Sequence, residues 1–210
     1  MAQIICLANS IKHNGRCIAG IDISTGLWVR PIGTQQEGAV GNVRLINGCE
    51  PQLLDVLEIP IGSKANNLGC QPENVELLPG TWSKISSVPL GEISQYVENT
   101  PHLLHNCERG VSLEYFADKP KDKWKSLQLI EIRNARFFRD NYMGNIKRKC
   151  SFNYNDAHYT LPVTCPSFDS YVDTTIGCYL TVSLAGPISF DSSPPTCWKM
   201  VAGVIPDSTG

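Results

Sequence analysis

The 210-residue sequence has no Gly-x-Ser-x-Gly elbow, no Walker loop, no His-Glu-x-x-His and no dinucleotide glycine fingerprint. The local motifs that announce common hydrolase, phosphate-transfer, zinc-protease and nicotinamide chemistries are therefore missing. It also lacks any apolar run approaching the roughly 18 residues of a membrane helix, which excludes a hydropathy-defined span. The N-terminal apolar stretch Ile4–Ala8 ends at Asn9 and Ser10, too soon for the core of a signal peptide. Paired-cysteine spacing is absent too. The nine cysteines cannot all pair within one chain, and the expectation is free thiols in a reducing, cytosolic compartment. Charge of one sign is not in excess: 18 basic against 20 acidic side chains give a net charge of −2, which argues against a generic polyanion binder.

What is present is an apolar fraction of 42%, ample for a core in one ordinary domain or two small ones. The charges are unevenly spread. Residues 111–150 hold ten of the 18 basic side chains against five acidic ones, whereas 1–110 carry seven against ten and 151–210 one against five. The basic stretch runs from Lys119, Lys121, Lys123 and Lys125 through Arg133, Arg136 and Arg139 to Lys147, Arg148 and Lys149. A solvated charged face is the plain reading of such a run.

Strand signals dominate. Short β-branched or aromatic runs at 3–8, 16–22, 27–32, 53–61, 73–78, 127–139, 148–154, 158–165, 177–185 and 197–205 are separated by Gly, Pro, Asn and Asp. Asn155-Asp156 supplies turn chemistry for a hairpin. Between 79 and 125 the pattern changes to prolines and helix-like spacing at Ile93, Tyr96 and Val97, then Leu103 and Leu104. The fold class expected is mainly β, with two small barrels at 1–85 and 126–210 joined by a partly helical connector at 86–125. The halves share no residue-level repeat, so any duplication is one of architecture.

The joint pattern Leu7-Ala8-Asn9-Ser10-x-Lys12-x-x-Gly15-Arg16-Cys17-x-Ala19-Gly20, then Trp28-Val29-Arg30-Pro31, resembles the bacterial dual OB-fold domain family. The runs Tyr179–Leu184 and Trp198–Gly203 extend the resemblance to the far end of the chain. It implies two oligonucleotide/oligosaccharide-binding (OB) folds, an association with nucleic acid or nucleotides, and a setting in prokaryotic conflict systems. Fold alone does not establish function.

Three constellations are candidate sites. In the first, Asn9, Ser10, Lys12, Arg16, Trp28 and Arg30 fall on the first three strands and their connections, where an OB barrel takes its ligand. Trp28 there either stacks on a base or packs in the core, and Arg30 either holds phosphate or caps a barrel end. In the second, Arg133, Arg136, Phe137, Phe138, Arg139, Tyr142, Lys147, Arg148, Lys149, Phe152 and Tyr154 interleave cations and rings as a single-strand groove requires. Adjacent Phe137 and Phe138 cannot both face that groove on a regular strand. The third, His102-x-x-His105-x-Cys107, falls short of a structural zinc set, so no metal is expected. Cys6, Cys17, Cys178 and Cys197 read as packing residues within apolar strands. Dispersed His13, His158, Cys17, Cys165, Asp22 and Glu131 are the residues an enzyme would have to gather.

The function expected is a binding module for single-stranded nucleic acid or a nucleotide-like ligand, needing no cofactor. The alternatives are a scaffold docking an effector protein and a small-nucleotide sponge or hydrolase.

Overall fold

The computed structural model describes residues 1–12, 15–33, 38–191 and 193–207, with the side chain of Tyr142 set aside. The chain divides into two compact units, Met1–Asn67 with Glu73–Tyr96, and Leu68–Pro72 with Val97–Gly210.

The first unit is one sheet of seven strands: β1 (Ala2–Lys12), β2 (Gly15–Asp22), β3 (Trp28–Ile32), β4 (Asp55–Ile59), β5 (Ile61–Lys64), β6 (Asn74–Leu77) and β7 (Ser83–Ser87). Their order is β5-β6-β3-β2-β1-β4-β7. Only Pro60 separates β4 from β5, although the two sit far apart in that order, so the sheet curls until the single run β4–β5 spans the gap between β1 and β6. Proline suits this corner because it has no N–H to give to a ladder. β3 and β6 are parallel and every other pair is antiparallel. Alternation along β1, β2 and β4 directs Ile4, Cys6, Ile18, Leu57 and Ile59 inward, where they meet Val29, Val40, Val75 and Trp82. A bulge between Cys6 and Ala8 bends β1 over this core. Backbones cross closely there: a Cβ on Gly20 would lie 2.1 Å from the Ile5 carbonyl oxygen.

The second unit contains β8 (Gly110–Ser112), β9 (Leu127–Tyr142), β10 (Asn145–Tyr154), β11 (Ala157–Pro162), β12 (Thr175–Leu184) and β13 (Thr196–Pro206). The order is β11-β10-β9-β12-β13-β8. A parallel bridge from Val163 to Val201, with the Thr164 N–H donating to the Val201 carbonyl at 2.9 Å, brings the end of β11 onto β13. Counting β4–β5 as one strand and setting aside the edge strands β7 and β8, both units have the cyclic order first-second-third-fifth-fourth, with the third strand parallel to the fifth. The duplication absent from the residues is present in the topology.

The strands expected from sequence are found, with three additions: β5 continues past the run expected to end at 61, and β7 and β8 lie in the stretch where the pattern was read as partly helical. The α-helices, α1 (Leu90–Ile93) and α2 (Leu113–Ala117), are each about one turn, joined by 3-10 turns at Ser94–Tyr96, Leu103–His105 and Lys121–Lys123. Ser112 caps α2 by accepting from the Tyr115 N–H at 3.3 Å. Among the described residues no helix is long and apolar enough to cross a membrane.

Candidate nucleic-acid interface

The long hairpin β9–β10 carries half of the exposed basic side chains of the second unit, Arg133, Arg136, Arg139 and Lys147. Residues alternate across its two faces, and the register pairs Arg136 with Ser151, Phe138 with Lys149 and Asp140 with Lys147 on the outward face. Phe137, paired with Cys150, points inward and is fully buried, while Phe138 is half-buried on the outside. The guanidinium of Arg136 lies over the Phe138 ring at 5.6 Å from its centre. Next to this stack Lys149 keeps its ammonium within reach of other cations. Burial lowers its pKa, Arg109 and Lys147 lower it further, and Asp140 pulls the other way. Among the described residues Arg133, Arg136, Lys147 and Lys149 form no ion pair. Arg133 stands on a bulge: Ile176 pairs with Ala135 and Cys178 with Ile132, leaving Arg133 and Asn134 together opposite one residue.

The same outward row continues onto β11. Ser151 pairs with Thr160 and Asn153 with His158. The His158 ring lies 3.0 Å from Ser151 Oγ and 2.8 Å from Asn153 Oδ1, a polar shelf beside the cations. On the opposite face of the hairpin Arg139 and Arg148 share the carboxylate of Asp169, at 2.9 and 2.8 Å, and Arg148 covers Phe168. Those two arginines are tied down. Phe152 and Tyr154 are buried, and the side chain of Tyr142 lies outside the described residues.

The N-terminal set is used differently. Asn9 is buried and its Nδ2 donates to the Pro51 carbonyl at 2.8 Å; Ser10 is buried with Oγ 3.4 Å from the Cys17 carbonyl. Arg16 Nε and Arg44 Nη2 meet the two oxygens of Glu50 at 2.9 and 2.6 Å. Burial opposes ionisation of Glu50, but the hydrogen bond and charge of Arg16, with the charge of Arg44, outweigh it and hold the carboxyl below its usual range. Arg30 is 2% exposed and donates from Nη1 to Asn74 Oδ1 at 3.3 Å. Lys12 and Trp28 are half-buried, at the end of β1 and the head of β3. Asn9 and Arg16 thus come together around Glu50 and Pro51, and Arg30 goes separately to β6.

The His/Cys cluster separates on folding. His105 Nε2 is 2.7 Å from the Lys125 carbonyl, and its ring packs on Tyr115 and Phe116. His102 Nδ1 faces Cys107 Sγ at 3.2 Å. No group of three His, Cys, Asp or Glu side chains that could hold a metal ion occurs among the described residues. Of the dispersed catalytic candidates, Asp22 accepts from the N–H and hydroxyl of Ser24, and Cys165 Sγ sits 3.0 Å from Ser167 Oγ. His13 lies outside the described residues.

Comparison with known families matches residues 2–204 to the dual OB-containing domain. The chain belongs to the dual OB-containing domain family. No curated protein and no solved structure matches it.

OB folds are five-stranded Greek-key barrels that bind oligonucleotides and oligosaccharides on the face of their second and third strands and in nearby loops. In the second barrel of this dual OB protein those strands are β10 and β11, whose outward residues are Lys147, Lys149, Ser151, Asn153, His158 and Thr160. Ser151 and Thr160 had no signal in the charge run. Period-two alternation carried from Lys147 through the Asn155-Asp156 turn places them on the same face as the lysines.

Proposed function

We propose that the second barrel binds single-stranded nucleic acid, or a nucleotide-like ligand, across the outward face of β9, β10 and β11. The observation that carries this reading is the Arg136–Phe138 stack standing beside Lys147 and Lys149, cations with no ion-pair partner among the described residues. A single strand needs charge for its phosphates and flat surfaces for its bases, and this face offers both. Arg133 extends the charge along β9, and the Ser151–His158 shelf supplies neutral hydrogen-bonding groups. In the first barrel Trp28 is the residue proposed to meet a base, while Asn9, Ser10, Arg16 and Arg30 serve as framework. In the prokaryotic conflict systems that the resemblance implies, such binding is an accessory role. Fluorescence anisotropy with labelled single-stranded DNA, single-stranded RNA and duplex across a salt series tests it. Single-strand affinity that falls with salt, with a slope reduced by about one when Lys147 is changed to Ala, is expected. No binding at low salt sinks the proposal.

Docking of an effector protein is a second reading, favoured by the hairpin tip, where Met143 is 85% and Ile146 67% exposed. Recovery of a stoichiometric protein partner after nuclease treatment, lost in a Met143→Ser, Ile146→Ser variant, supports it.

A further inference from the structure

The segment Val97–Arg109 is strapped to the second barrel by a polar network. The Leu104 N–H donates to Gln128 Oε1 at 2.9 Å, and Gln128 Nε2 donates to Thr100 Oγ1 and Tyr154 Oη at 2.9 and 3.2 Å. Lys125 pairs with Glu98 at its start. Leu104 and His105 are both held at positive φ, 43° and 83°, a conformation that costs a non-glycine residue of order 1 kcal/mol or more and persists only where the surroundings impose it. The strap therefore fixes what it carries.

It carries a thiol and an imidazole. Cys107 Sγ lies 3.2 Å from His102 Nδ1, and both side chains reach solvent. The His102 ring also lines a cleft of about 260 Å³ with Thr100, Leu104, Lys123, Lys125 and Gln128. On the inner side the ammonium of Lys199, bound to the two oxygens of Asn106 at 2.7 and 2.8 Å, adds positive potential near the thiol. The other exposed cysteine, Cys49, forms no bond with a histidine among the described residues, so the chain holds its own comparison.

We propose that Cys107 is a nucleophilic thiol that undergoes exchange with small, carboxylate-bearing disulfides, with His102 as its base. Cys107 Sγ attacks one sulfur of the disulfide while His102 Nδ1 takes the thiol proton. The incoming S–S bond breaks, a bond from Cys107 Sγ to the attacked sulfur forms, and the electron pair leaves with the other sulfur, which takes the proton back from His102. The small disulfide is the oxidant and the protein gains a mixed disulfide. Lys123, exposed where it lines the cleft with His102, supplies a positive charge for the carboxylates of such a reagent. This site does not depend on the ligand reading of β9–β11.

Oxidised glutathione and the whole protein test it, with adducts at each cysteine timed by peptide mass spectrometry. Cys107 is expected to react on the order of tenfold or more faster than Cys49, below the full range of general-base effects. His102→Gln should bring Cys107 down to the rate of Cys49 and leave Cys49 unchanged. Equal rates in the unaltered protein overturn the proposal without any variant. A fast Cys107 that ignores His102→Gln also overturns it, because the base would then be something else.

Discussion

Arg136 and Phe138 lie two residues apart on the outward face of β9, with the guanidinium 5.6 Å from the ring centre and Lys149 directly across from the phenylalanine. The guanidinium is thereby held over a ring that is itself only half-buried. This order matters for a ligand with planar bases, since an aromatic surface already in position loses little freedom on binding. Phe138→Ala is expected to weaken single-strand binding by about 1–3 kcal/mol, roughly 5- to 150-fold. Phe138 is half-buried on the surface, so the urea midpoint should move little. Anisotropy and urea titration of the same preparation separate the two effects, and an unchanged affinity removes this stack from the interface.

The carboxylate of Glu50 holds two guanidiniums, and Arg44, at 8% exposure, is nearly buried. Glu50→Gln leaves those charges without a counter-charge and should destabilise the first barrel by about 1–3 kcal/mol. The sign in pH follows from the lowered carboxyl. Its stabilisation is present above the ordinary carboxylate pKa and is lost as pH falls through the folded one, so the unaltered protein loses stability on acidification that Glu50→Gln has already lost. Urea midpoints of the two proteins should converge toward low pH. Parallel curves would place the cost of the variant outside the ionisation of Glu50.

The strand pattern was legible because short β-branched or aromatic runs, such as the wholly buried Ile4–Ala8, are punctuated by Gly, Pro, Asn and Asp. The one-turn α1 and α2 carry too few residues for a helical period to develop, and β7 and β8 are edge strands whose pairing comes from distant partners, Asp55–Glu58 and Thr196–Trp198. The basic interface was half legible. Charge and rings in 133–149 marked the segment, but the split of Arg136 and Lys149 from Arg139 and Arg148 depends on cross-strand register and on Asp169, which lies 21 residues beyond Arg148. Arg16 and Arg30 drew attention because arginines near a tryptophan suit anions. Their partners, Glu50 and Asn74, lie 34 and 44 residues away, and no local pattern points to them.

Arg30 is the largest of the fully buried side chains. Arg30→Ala removes its volume and its bond to Asn74, and should cost roughly 2–4 kcal/mol, comparable to other large-to-small changes in a core. Arg30→Met keeps most of the volume and should cost less. Thermal or urea denaturation of both variants checks the order. If Arg30→Ala were neutral in stability yet abolished ligand binding, Arg30 would belong to the site and not to the framework.

Lys199 is 1% exposed, and its two closest oxygen acceptors, the Asn106 carbonyl and side-chain amide, are both neutral. Burial pulls its pKa down to about 8, against the smaller opposing pull of Cys107 and Glu108. The unfolded chain keeps the lysine near its ordinary value of 10.5. Below about pH 8 both states hold the proton and the cost of the buried charge is fully present. Between about 8 and 10.5 the unfolded chain binds a proton that the folded one has released, so this lysine makes stability rise with pH across that window. Lys199→Met keeps an unbranched side chain and removes the titration. The urea midpoint of the unaltered protein minus that of the variant should be flat from about pH 6.5 to 7.5 and then climb toward about pH 9.5, short of the range where tyrosines ionise. The neighbouring Tyr159, pushed up chiefly by burial, is common to both proteins and largely cancels in the difference. A difference that stays flat to about pH 9.5 would mean that Lys199 remains charged in the fold, and that the two oxygens of Asn106 compensate its desolvation.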